Sequence, residues 1–130
     1  MIGRLRKGEH GQALVEMALV LPLFFLLLFG VIEMGRIGYA YITVSNAARE
    51  GGRIATFGAS DSDIIISIQS AASSLDPAGL KNLEITPVVR QSGQDVTVKV
   101  TYTVKLIIPL ITNVISNSVD VHSSITMRME

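Results

Sequence analysis

Between Glu16 and Glu33 the chain carries sixteen consecutive uncharged residues, MALVLPLFFLLLFGVI. Extended back to Ala13, the stretch to Ile32 gives twenty positions with one carboxylate among them. At about 1.5 Å per helical residue, a run of that length covers the ~30 Å hydrocarbon core of a bilayer. A soluble helix apolar on every side needs neighbours all round it. The rest of this chain, which has 130 residues and is 17% charged as a whole, is of modest hydropathy and a poor source of them. The run therefore predicts a membrane-spanning helix. Pro22 lies inside it and removes one backbone donor, which a lipid-embedded helix tolerates as a kink.

The flanks orient the helix. Arg4, Arg6 and Lys7 precede the run, whereas Glu33 and Arg36 beyond it cancel. The positive-inside rule then keeps the N-terminal side in the cytoplasm and sends the residues after about Met34 outside. A cleaved secretory signal would end in a small-residue site after its apolar part. Here EMGRIGYAYI follows, which continues a helical pattern, so removal of the whole apolar segment is not expected.

Composition closes off several chemistries. With 11 basic and 11 acidic side chains the formal charge is zero, so no positive field favours a nucleic-acid backbone. The chain has no Cys, which excludes disulfides, thiolate metal sites and cysteine nucleophiles. It contains no Gly-rich phosphate loop, HExxH or nucleophile elbow. Asp120 and His122 share the polar face of a strand, but no third ligand or nucleophile accompanies them, and solvated side chains are the expected reading. The sequence reads as a non-enzyme with no cofactor, no metal and no small-molecule substrate.

Glu16 sits about one turn inside the apolar segment, where a carboxylate costs up to ~3 kcal/mol and calls for a partner. Five positions earlier stands Gly11, in KGEHG-QALVE, after a short basic leader. This arrangement resembles the type III signal of prepilins and pseudopilins. In that signal a prepilin peptidase cuts after the glycine and leaves glutamate as the fifth mature residue. Glycine suits the position before the cut because it has no Cβ to obstruct the protease.

The resemblance extends from Gly11 to Ala55, which is similar to the N-terminal domain of TadE-like proteins, pseudopilins of tight-adherence (Flp) pilus systems. It rests on Val15-Glu16, Leu21-Pro22, Gly30 with Glu33, Gly35-Arg36, and Asn46-Ala47-Ala48-Arg49-Glu50-Gly51. The C-terminal half also fits the family, with a long strand, Pro109-Leu110 and a last Ser/Thr-rich strand. The residue after the glutamate is often aromatic in the family, and Met17 stands there.

The resemblance implies a cut between Gly11 and Gln12, giving a leader (1–11), a transmembrane helix (12–33), an extracytoplasmic stalk (34–56) and a small head (57–130). It implies a place in the bacterial inner membrane and partners among other pilins, the prepilin peptidase and the pilus assembly platform, besides membrane lipid. The new amine at Gln12 would pair with Glu16 of a neighbouring subunit and set its register. The rival reading is an unprocessed single-pass membrane protein whose head binds an envelope component.

Beyond the membrane, Ile37, Tyr41, Val44, Ala48, Gly51 and Ala55 recur at steps of four and three, predicting a helix that continues to near Gly51 or Thr56. Gly35, Gly38, Ala48 and Gly51 are small enough to admit another backbone, either a second subunit or the chain's own head. Arg49, Glu50 and Arg53 read as a solvated face with local pairing. Ser60-Asp61-Ser62-Asp63 predicts the capped start of a second helix carrying Ile64, Ile65, Ile68, Ala71, Ala72 and Leu75. Strands are predicted over Leu83–Arg90, Asp95–Ile108 and Val119–Met129, the last two with strict alternation. The fold class is α+β: a long N-terminal helix, then a head of one helix and about three antiparallel strands. Leu106 to Ile111 reads as an apolar loop or short helix that closes the core or touches a membrane or partner.

Overall fold

The computed structural model describes the backbone of residues 6–108 and 116–130, and side chains from residue 11 onward within those limits. Pro109 to Ile115, and with them part of the apolar loop, lie outside the described residues.

The first element, α1, runs unbroken from Arg6 to Thr56, about 75 Å of helix. Pro22 lies within it. Most of the apolar run is exposed: Leu19 is 74% and Leu27 64% accessible. The outer part of the same helix is the spine of the head, with Val44, Ala47, Ala48 and Ala55 fully buried.

The second helix, α2 (Asp61–Ala71), starts as its sequence predicts. The Ser60 hydroxyl accepts from the Asp63 backbone N–H at 3.3 Å and fills one orphan donor of the first turn. Ile64 and Ile68 face α1 and are fully buried. A short 3-10 turn, Pro77–Gly79, capped by Asp76, then leads into the sheet.

Strands β1 (Leu80–Thr86), β2 (Asp95–Lys105) and β3 (Ser118–Arg128) form one antiparallel sheet in sequence order. Pairing of β2 with β3 is continuous from Asp95↔Arg128 to Lys105↔Ser118. In β2, Val96, Val98, Val100, Tyr102 and Val104 point into the core, while the odd-numbered residues face out. The outer face is held by cross-strand pairs, Thr97 with Thr126 at 2.8 Å and Thr103 donating to Asp120 at 2.6 Å.

The α+β class, with one helix and three antiparallel strands after a long helix, is thus the observed fold. Some bounds differ from the sequence reading, β2 ending at Lys105 rather than Ile108 and α2 at Ala71, short of Leu75, and two further differences have a visible cause. First, β1 covers Leu80–Thr86 rather than Leu83–Arg90. Pro87 has no N–H to extend the ladder, and Val88 and Val89 are exposed. Leu80 pairs with Tyr102 as soon as the 3-10 turn ends, and the ladder shifts register between Lys81 and Glu84, where Asn82 has φ 48°. Second, Tyr41 lies outside the buried stripe, 53% exposed, and Ala40 takes its place at 2%. Both positions fall near the stripe's axis, and only the smaller side chain fits under the head.

Small residues let α1 meet two elements at once. A Cβ on Gly51 would stand 2.6 Å from Ile68 Cγ1, and one on Gly52 would stand 3.3 Å from Met127 Sδ. Neighbouring helical positions are turned by about 100°, so α2 occupies one side of α1 and β3 the next. At the far end, Met129 is buried and the Glu130 N–H donates to the Thr56 carbonyl at 3.2 Å. That bond satisfies one of the free carbonyls at the end of α1.

Candidate functional site: the exposed helix and its junction with the head

The residues singled out by sequence fall into two groups along α1. Gly11, Gln12 and Glu16 lie at its beginning, all exposed. Helical geometry puts positions four apart on one face, and the Gln12 side-chain amide accordingly donates to Glu16 Oε1 at 3.2 Å. Glu16 thus stands on a bare apolar surface with a neutral amide beside it. The helix also passes through the Gly11–Gln12 bond, since its backbone is already helical from Arg6. A protease, which takes its substrate extended, must unwind the first turns, and glycine weakens the helix there by about 1 kcal/mol relative to alanine.

The second group divides. Ala48 and Gly51 are buried in the chain's own core, with Gly51 facing Ile64 and Ile68 of α2. Gly35 and Gly38 are exposed and have nothing within 4 Å of a built Cβ. The open small-residue surface of α1 is therefore the short stretch between the apolar run and the head.

At that level lies a pair the sequence reading treated as cancelling charges and as points of resemblance, without placing it in the fold. Glu33 is 6% exposed and accepts from Arg36 Nη1 at 2.7 Å. Arg36 in turn reaches the Lys105 carbonyl, 3.4 Å from both Nη1 and Nη2. The i,i+3 spacing signals the pair, but nothing local signals that the end of β2 comes down onto it. A buried carboxylate needs its cation and hydrogen bonds, so this junction fixes where the base of the head meets the helix.

The remaining charges are structural. Arg90 pairs with Asp61 and donates to the Ala59 carbonyl at 3.1 Å, tying the β1–β2 connection to the start of α2. Glu50 receives Arg53 at 2.6 Å on the exposed face. The hydrogen bond from Arg53, more than its charge, holds the Glu50 carboxyl below its ordinary value of 4.5. The stabilisation from this pair is present above the unfolded carboxylate value and disappears as pH falls through the lowered one. Its size is small at such an exposed site. In a carboxyl NMR titration, Arg53→Gln is expected to raise the Glu50 midpoint; an unchanged midpoint would show that Arg53 is not the cause.

Asp120 is occupied by Thr103 across the strands, and His122 is exposed. Among the described residues no three His, Asp or Glu side chains gather as metal ligands. The helix from Gly11 to Thr56 is long and apolar enough to cross a membrane by length and composition.

Residues 11–53 match the family model described as TadE-like protein. The matched segment is α1 almost from the glycine onward, and it includes Glu16, Pro22, Glu33, Arg36 and Gly51. No curated protein and no solved structure matches the chain.

Proposed function

With the TadE-like match over α1 as premise, we propose that the chain is a pseudopilin: a minor or initiating subunit in assembly of a tight-adherence (Flp-type) pilus. It is inserted in the bacterial inner membrane with its N-terminal side in the cytoplasm and its head outside, and it is cut by a prepilin peptidase between Gly11 and Gln12. In this role it is a substrate and a structural partner of other pilins and of the assembly platform, and it performs no catalysis.

The observation that carries the reading is the Gly11…Glu16 spacing at the start of a bare apolar helix, within the segment that matches the family. Cleavage would remove Arg4, Arg6 and Lys7 and create an ammonium at Gln12. Glu16, which has only a neutral amide beside it among the described residues, is placed to receive such an ammonium from a neighbouring copy or another pilin. In an apolar bundle a pair of that kind is charge-assisted and sensitive to register.

Intact-mass measurement of the full chain, extracted from membranes of cells that hold a prepilin peptidase, tests the reading. The expected mass is that of residues 12–130, and Gly11→Leu is expected to leave the chain uncut. A wild-type chain still carrying residues 1–11 in those cells would overturn the proposal.

A further inference from the structure

The end of β2 runs down the helix past the Glu33–Arg36 junction. Lys105, the last residue of the strand, stands at the level of Arg36 through its carbonyl. Ile108, three residues on, is 9% exposed and lines an apolar groove of about 510 Å³ whose other walls are helix residues, among them Pro22, Phe25, Leu26 and Phe29. Phe29 and Phe25 lie roughly 10 and 16 Å along the axis below Arg36. Leu106 to Ile108 therefore descend beside the apolar run by one to two helical turns. Ile107, between the two, is 69% exposed.

We propose that Leu106, Ile107 and Ile108 form a second membrane contact, in which Ile107 meets the acyl chains of the outer leaflet beside α1. The inference rests on the reading of α1 as a membrane-spanning helix. Whatever surrounds Phe25 and Phe29 also meets Ile108, which shares their groove, and Ile107 is the exposed side chain between Ile108 and the junction, beside Arg36 and Lys105. The polar groups are ordered to match. Arg36 and Lys105 lie at the junction, where cations meet headgroups, and Tyr39 and Tyr41 stand exposed just above, as interfacial aromatics do. The aliphatic residues lie below. Irregular backbone in lipid must have its polar groups satisfied. The Leu106 N–H donates to the Asn117 carbonyl at 3.0 Å, which meets that need where the segment leaves β2. The head is thereby held to the bilayer at two points, and its tilt and rotation about α1 are fixed relative to the membrane surface.

The chain has no native cysteine, so single-cysteine variants can be labelled cleanly. The full chain is reconstituted in vesicles of phosphatidylcholine brominated along its acyl chains, with a bimane fluorophore at Ile107→Cys, at Leu23→Cys in the apolar run, or at His122→Cys on the exposed face of the sheet. Quenching by brominated chains at 107 is expected to lie within about twofold of that at 23 and to exceed that at 122 by fivefold or more. Quenching at 107 no greater than at 122 would overturn the proposal. So would a probe at 107 shielded from both brominated lipid and aqueous iodide, which would place a second copy of the chain there. Loss of quenching at Leu23→Cys would instead overturn the membrane reading of α1, and the two failures are distinguished by that control.

Discussion

Ile68→Ala is expected to destabilise the head by about 3 kcal/mol, because a fully buried isoleucine removed from a close-packed site loses its transfer energy and leaves a cavity. The site also offers a way to prove the contact. Gly51 lies so close that a Cβ there would stand 2.6 Å from Ile68 Cγ1 and 2.8 Å from Cδ1. Gly51→Ala alone therefore gains helix propensity of about 1 kcal/mol but forces the isoleucine or the helix to move, at a cost of about 1–3 kcal/mol. In the double variant the new methyl enters space that the shortened residue 68 has vacated. The combined loss is expected to fall short of the sum of the two single losses by about 1–2 kcal/mol. Denaturant unfolding of the four proteins in one mild detergent, followed by circular dichroism, measures this. Strict additivity would show that α1 and α2 do not meet at Gly51.

Glu16→Ala is expected to leave cleavage and membrane insertion intact while reducing co-purification of other pilins by about tenfold or more. A charge left without its partner near a helix centre costs up to ~3 kcal/mol, and each 1.4 kcal/mol is a factor of ten in association. The variant leaves the partner's ammonium unanswered, which gives the effect its size. Glu16→Gln keeps the side chain's length and its contact with Gln12 but carries no charge, so it is expected to fall with alanine rather than with wild type. Retention of pilins by either variant at the wild-type level, after normal processing, would remove the pairing from the proposal.

The features legible in the sequence are those set by local chemistry. The alternation from Asp95 to Lys105 needed no tertiary information, since a strand with one wet face writes a period of two into its side chains. Ser60 announced the start of α2, and the charge spacing of Glu50 and Arg53 announced their pair. Gly11, Gln12 and Glu16 were singled out by their resemblance to a prepilin signal, and the helix adds only that Gln12 and Glu16 share a face. What was not legible depends on which distant element arrives. Ala40 and Tyr41 are equally near the stripe until the head presses on one of them. Glu33 looks like any acid at the end of an apolar run until Lys105 and Arg36 close over its level. Whether Gly51 serves a partner or the chain itself is decided by Ile68, and nothing around Gly51 in the sequence names it.

The uninterrupted course of α1 from Arg6 to Thr56 has a mechanical consequence. The rod that is apolar and long enough to cross a membrane at one end is at the other end the central strut of the folded head, packed by α2 and β3 and bonded at its last carbonyl to Glu130. The helix is continuous between them, so torque or axial load applied to it within an assembly is passed on to the sheet. The head turns when the helix turns, and it cannot be cut off at residue 57 without losing Val44, Ala47, Ala48 and Ala55 from the middle of its interior.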